Sequence, residues 1–308
     1  MSQDQNKGIP LTHNRVTVSL LNEMKKRRET FAALSIYSAP NARIFDKAGG
    51  EVIIVGDSAS MTMVGRPNTL PMTMEEMLFI AAAVCRGAKR PFVVGDMPLG
   101  SYEVSDEEAV RNALRFMKEV GDRPCNAVKM EINMPYIRRV RAVAQACLVV
   151  AHIGLNPNKA EMLGGYKMVG KTKKGAEELC EVALAAEEAG ACMILIETVP
   201  EEVSQKIREI VGVPVFGIAA GRELDGQLVI SDDLLGLYEW PGSVRPKHFR
   251  AYQAPKAGMT GGDFTLEAFK SYVDEVKRGE FPGPDNVHFL PEKEREDVIA
   301  YLATLKKK

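Results

Sequence analysis

Two rhythms of apolar and polar positions alternate along this chain. Short apolar runs rich in β-branched residues each end in a polar residue. After a loop, apolar residues recur every three or four positions, the spacing of a helix with one buried face. The runs Thr30–Tyr37, Glu51–Val55, Phe92–Gly95, Ala127–Met130, Leu148–Ile153, Met193–Ile196 and Val213–Ile218 predict strands, and an eighth is expected within Gln227–Tyr238. Between them, Thr73–Arg86 and Ser105–Val120 predict helices that open on a hydroxyl followed three residues later by Glu76 or Glu108, the pattern of a capping box. Lys173–Ala189 and Glu201–Val211 predict two more. Gly121, Gly190 and Gly212 stand just beyond helix ends, where a left-handed cap is expected. Thr265–Arg278 and Glu292–Lys307 predict further helices packed on the outside.

Strands alternating with helices imply a parallel sheet. Strands that are apolar throughout imply a sheet covered on both faces or closed on itself. Seven or eight such units favour a closed barrel over an open doubly wound sheet. The fold class read from the sequence is therefore α/β, a (β/α)8 TIM barrel with additional C-terminal helices. Residues 1–15 read as a loose polar arm, 16–290 as the catalytic barrel and 291–308 as a helical extension.

Composition narrows the function classes. The net charge of −1 gives no electrostatic case for nucleic acid or an anionic membrane surface. The basic stretches Lys25–Arg28 and Lys306–Lys308 are short and read as solvated faces. Five cysteines, an odd number without close pairs, read as small buried hydrophobes in a reducing compartment. The polar N-terminus lacks the apolar core of a signal peptide, and no apolar run is long enough to span a bilayer. The expectation is a soluble cytoplasmic protein.

In a barrel of this kind, chemistry gathers at the C-terminal ends of the strands. The second strand runs into Asp57-Ser58 and the third into Asp96. The fourth ends in Lys129-Met130-Glu131, the fifth in His152 and the sixth in Glu197. A polar residue at a strand end often only caps the next helix. Four carboxylates converging on one mouth are a different matter, because like charges raise one another's energy and a bound divalent cation relieves them. Carboxylates with water suit Mg2+ or Mn2+ rather than zinc, for which no His or Cys pair has ligand spacing. His13 and His288 fall in segments that read as exposed and are given no role. His248 reads equally well as mouth or surface. No Gly-x-Ser-x-Gly surrounds Ser58, which argues against a serine nucleophile.

At these residues the sequence resembles the ketopantoate hydroxymethyltransferase family, from about Val16 to about Phe289. The resemblance is carried by Val55-Gly56-Asp57-Ser58, Thr69-Leu70-Pro71-Met72-Thr73, Asp96-Met97-Pro98, Val128-Lys129-Met130-Glu131, His152-Ile153-Gly154-Leu155, Gly164-Gly165-Tyr166-Lys167, Glu197-Thr198-Val199-Pro200 and Asp225-Gly226-Gln227. It implies a barrel of the phosphoenolpyruvate/pyruvate-binding superfamily and transfer of a one-carbon unit from 5,10-methylenetetrahydrofolate to 3-methyl-2-oxobutanoate, giving 2-dehydropantoate on the route to pantothenate. It implies Mg2+ on Asp57 and Asp96, with Glu131 as a further, water-mediated acid. Ser58, Lys129 and His152 fall in the substrate-binding set with the two aspartates, and the catalytic pair is Glu197, at the general base, and Lys129, whose charge faces the developing enolate oxygen. A homo-oligomer is also implied.

The chain departs from the family pattern at Ser35-Ile36-Tyr37-Ser38, at Ile132 and Asn133 where two glycines are usual, and at Ala151, Asn156 and Ala219. Ile132 and Asn133 are expected to add side chains beside the pocket. These changes keep open a Mg2+-dependent aldolase or lyase of the same superfamily acting on a different 2-oxo acid. A retired barrel that serves as a binding protein is a separate reading, against which every matched catalytic position keeps its chemistry.

Overall fold

The computed structural model describes residues 15–160, 162, 164–240, 246, 250–252, 256 and 258–307. Eight strands run β1 Phe31–Ser35, β2 Val52–Val55, β3 Phe92–Asp96, β4 Ala127–Glu131, β5 Leu148–Gly154, β6 Met193–Glu197, β7 Val215–Ile218 and β8 Gly226–Ile230. All are parallel, in sequence order, and β8 closes on β1 from Phe31 against Gly226 to Ser35 against Ile230. The eighth strand is shorter and earlier than the expected stretch, because the chain turns at Ser231 into the helix Ser231–Leu234. Gln227 interrupts its apolar pattern, and that side chain is used locally, its Nε2 donating to the Gly221 carbonyl at 3.1 Å.

Side chains alternate across each strand, so each strand divides its residues between two cores. Phe31 and Ala33 of β1, Phe92 and Val94 of β3, Met193 and Leu195 of β6 and Phe216 and Ile218 of β7 fill the barrel interior. Ala32, Leu34, Val93, Ile194 and Ile196 face the surrounding helices. The interior parity continues to the strand ends, where it delivers Asp96, Lys129, Glu131, His152 and Glu197. At the opposite end Leu21 and Met24 of the helix Val18–Arg27 pack into the same interior core and plug it. That plug is tied to the barrel by Asp225, which accepts from Lys25 Nζ at 2.9 Å, Arg208 Nε at 2.7 Å and the Val215 amide at 2.9 Å.

The outer helices Ala39–Ala48, Met74–Gly87, Asp106–Lys118, Ile137–Ala144, Lys173–Glu188 and Glu201–Ile210 each follow one of the first six strands. The helix Gly261–Arg278, expected as an external addition, belongs to this ring. Its buried Tyr272 hydroxyl lies 2.9 Å from the Ala33 carbonyl and 2.7 Å from the Gln227 carbonyl, bridging β1 and β8. The helix Glu292–Thr304 is the true addition and packs on Lys173–Glu188 and Glu201–Ile210.

The capping box of Thr73 and Glu76 forms in full, and at Ser105 the hydroxyl accepts from the Glu108 amide. Gly121 and Gly190 take φ of 97° and 103°, as a left-handed end requires. Gly212 does not: the helix Glu201–Ile210 leaves through an extended Val211 straight into β7. All five cysteines are free thiols, and four of them are buried. Among the described residues no helix is long and apolar enough to cross a membrane.

Candidate active site

Asp57, Ser58, Asp96, Lys129, Glu131, His152 and Glu197 all line one cavity of about 410 Å³ at the C-terminal mouth of the barrel. The register of the sheet brings them together. Asp96 is the lateral partner of Lys129, Glu131 is that of His152, and Glu197 sits beside Gly154. One side of the mouth, from β2 to β6, is thus ionic. The other is apolar, formed by Ile218, Leu228 and Ile230, with Ser35 as its polar exception, and Ile54 of β2 and Leu195 of β6 line the cavity deeper in the barrel.

The ionic side is a chain of short contacts among buried groups. The Asp57 amide donates to Asp96 Oδ2 at 2.9 Å, and Lys129 Nζ lies 2.8 Å from Asp96 Oδ1. Lys129 Nζ also lies 3.1 Å from His152 Nδ1, and His152 Nε2 lies 3.2 Å from Glu197 Oε2. Burial, then the neighbouring Lys129 ammonium, hold the imidazole well below its usual pKa, so the ring is neutral. An ammonium only donates. Nδ1 is therefore the acceptor, and the ring proton sits on Nε2, facing Glu197. Burial works against the Lys129 charge, but Asp96, Asp57 and Glu131 outweigh it and raise its pKa. Ser58 Oγ pairs with Tyr37 Oη at 2.7 Å.

Burial, reinforced by the Asp57 charge, pushes the Asp96 carboxyl up to about 8. Burial likewise raises Glu131 well above the ordinary carboxylate range, and the charges of Asp57 and Asp96 add to this. One ammonium does not balance that set. Among the described residues no three His, Cys, Asp or Glu side chains converge closely enough to cage a metal on their own. The trio Asp57, Asp96 and Glu131 is accordingly not a closed cage. It suits a cation that keeps waters, takes one or two protein carboxylates and completes its shell with substrate oxygens, as Mg2+ does. On donor chemistry and charge, the residues fit Mg2+.

Several features escape the pattern along the chain. Asn158, on a short turn after β5, donates from Nδ2 to Asp57 Oδ2 at 2.7 Å, and Thr69 Oγ1 donates to Asn158 Oδ1 at 2.6 Å. His288, expected to be exposed, is half-buried and lines the cavity, because its backbone bridges Pro200 just after β6. Met61, Tyr166, Met168 and Trp240 form an outer apolar rim. Ile132 and Asn133 do not add side chains to the pocket: Ile132 packs into the core outside the barrel and Asn133 faces solvent. Among the departures from the family pattern, Ser35 and Ala219 line the cavity. Ala219 holds φ at 51° with its methyl in place, where glycine fits more readily. His13 and His248 lie outside the described residues.

A closed parallel barrel with buried carboxylates, a lysine and a neutral histidine at its mouth defines an α/β-barrel enzyme for a small-molecule substrate. The model of the ketopantoate hydroxymethyltransferase family matches residues 15–284. A 3-methyl-2-oxobutanoate hydroxymethyltransferase of Alkaliphilus metalliredigens is 42% identical over 90% of this chain and 94% of its own. One from Ignicoccus hospitalis is 40% identical over 87% and 97%. The chain belongs to the ketopantoate hydroxymethyltransferase family and is, by that membership, a hydroxymethyltransferase. Among solved structures, 2,3-dimethylmalate lyase superposes with a TM-score of 0.53 at 15% identity, covering 94% of this chain and 92% of that one. Phosphoenolpyruvate phosphomutase from Streptomyces platensis subsp. rosaceus gives 0.53 at 17%, covering 71% and 83%. These share the fold.

Proposed function

We propose that the chain transfers the one-carbon unit of 5,10-methylenetetrahydrofolate, with a molecule of water, to C3 of 3-methyl-2-oxobutanoate, releasing 2-dehydropantoate and tetrahydrofolate. The observation that carries this reading is the division of the cavity into an ionic half and an apolar half. A branched 2-oxo acid has the same division: its carboxylate and keto oxygen suit the Asp57, Asp96 and Lys129 side, and its alkyl group suits Leu195, Ile218 and Leu228.

Asp57 and Asp96, with Glu131 beside them, would hold Mg2+, which would supply Lewis-acid polarisation of the 2-oxo acid. Mg2+ accompanies oxalate in a phosphonopyruvate hydrolase structure with the same fold (TM-score 0.50, 15% identity, covering 69% of this chain and 80% of that one). Lys129 places a positive charge beside the substrate carboxylate and the oxygen that gains charge as the C3 proton leaves. Glu197 takes that proton. Its side chain is 21% exposed, so substrate reaches it, and His152 Nε2 lies 3.2 Å from one of its oxygens. Ser58, braced by Tyr37, offers a hydroxyl to the substrate. The rim of Met61, Tyr166, Met168 and Trp240 presents the flat or polarisable surfaces on which a pterin ring stacks.

The reading of a different 2-oxo acid loses its main motive, because Ile132 and Asn133 stand outside the cavity. The deciding experiment is turnover of 3-methyl-2-oxobutanoate with 5,10-methylenetetrahydrofolate and Mg2+, run beside Asp57→Ala and Glu197→Gln. Wild-type turnover that Asp57→Ala abolishes and Glu197→Gln lowers by about 10²–10⁴-fold is expected. A folded wild type that binds Mg2+ yet turns over neither substrate would remove the proposal.

A further inference from the structure

Asn158 is 6% exposed and lies on the 3-10 turn Pro157–Lys159 immediately after β5. It touches two carboxylates of the ionic half of the mouth, Asp57 and Glu131. Its Nδ2 donates to Asp57 Oδ2 at 2.7 Å, and its backbone N–H faces the Glu131 carboxylate, 3.2 Å from Oε2 and 3.5 Å from Oε1. Its Oδ1 accepts from the Thr69 hydroxyl at 2.6 Å, and Thr69 is itself only 2% exposed. Two segments far apart in sequence therefore meet on one amide.

The chemistry fixes the direction of every bond. A carboxylate only accepts, so Asn158 must turn Nδ2 toward Asp57, and a flipped amide sets oxygen against oxygen. With Oδ1 then facing Thr69, the threonine hydroxyl is the donor. Committing Oδ2 of Asp57 to the amide leaves its other oxygen for a ligand in the cavity. The donors are neutral: they orient two acids without bringing in a charge that repels a cation. Outer partners of this kind typically change metal affinity by about 10–100-fold.

We propose that Asn158, pinned by Thr69, is a positioning residue that sets the orientation of Asp57 and Glu131 and thereby the affinity of the site for a divalent cation with its 2-oxo acid. The inference rests on the Mg2+ reading of the site. Its test is calorimetric titration of Mg2+ into the protein with 3-methyl-2-oxobutanoate present, for wild type, Asn158→Ala and the near-isosteric Thr69→Val, each checked for folding by circular dichroism and melting. Turnover is measured alongside as a function of Mg2+ concentration. Folded variants with Mg2+ affinity lowered about 10-fold or more, and turnover restored as Mg2+ is raised, are expected. Should Asn158→Ala fail to fold, Thr69→Val alone carries the test. Wild-type Mg2+ affinity in Thr69→Val and in any folded Asn158→Ala, or turnover that stays low at saturating Mg2+, overturns the proposal. A wild type that binds no Mg2+ overturns the underlying reading instead, and the two failures are told apart by that control.

Discussion

The neutral imidazole of His152, caught between Lys129 Nζ and Glu197 Oε2, shows how a residue's role depends on its neighbours more than on its type. Burial that keeps the ring uncharged also governs the thiols. It pushes Cys147 up to about 11 and Cys180 and Cys192 up to about 12, and thiolate is the reactive form. The hydrogen bond with Cys125 lowers Cys85 instead, but Cys85 is itself buried, so the native protein at pH 8 is expected to react slowly with an aromatic disulfide reagent and to show all five thiols only in denaturant. Fast reaction of several thiols in the native state would contradict this burial. The cysteines were legible as buried hydrophobes from their apolar neighbours. Their partners were not, and the Sγ contact of 3.8 Å between Cys85 and Cys125 joins residues with no common motif.

Strands and helices reflect the same division between local pattern and long-range contact. The strands of the barrel follow from apolar runs, and the starts of the helices at Thr73 and Ser105 follow from a hydroxyl three residues before an acid. The helix Val18–Arg27 has an ordinary amphipathic pattern, and nothing along the chain marks it as the plug of the barrel. Its attachment runs through Asp225, whose carboxylate is buried under Lys25, Arg208 and the Val215 amide. Removing one partner of such a group leaves the others unsatisfied. Asp225→Ala is expected to lower stability by about 3 kcal/mol in urea denaturation, while the mouth at the other end of β8 keeps its arrangement. A loss below about 0.5 kcal/mol would mean the plug is held by Leu21 and Met24 alone.

At the scale of the whole molecule, the barrel gathers at one end buried carboxyls whose charged forms burial and mutual repulsion disfavour, and binding a cation relieves them. Any ligand that binds only the native state stabilises it, by about 2.7 kcal/mol at a hundred times its Kd. If the proposed site holds both, Mg2+ together with 3-methyl-2-oxobutanoate is expected to raise the melting temperature more than either alone. Chelation of the metal should reverse the shift. Equal melting temperatures under saturating conditions would favour a retired barrel. The expected homo-oligomer belongs to this scale too, and sedimentation at several protein concentrations measures it.

The sequence by itself determined the βα period, the carboxylates, lysine and histidine at the strand ends, and the family. Hydrophobic periodicity and strand-end polarity are local properties, and a single-residue parity is enough to place Asp96, Lys129, Glu131, His152 and Glu197 on the inner face. Tertiary structure alone decided the rest. Register set Lys129 beside Asp96 and His152 beside Glu131, and closure of β8 on β1 completed the mouth. The turn after β5 brought Asn158 onto Asp57, and the strand-like bridge at Pro200 drew His288 into the cavity. These contacts join segments up to about two hundred residues apart, as Phe31 and Gly226 are, and no pattern within one segment encodes its partner in another.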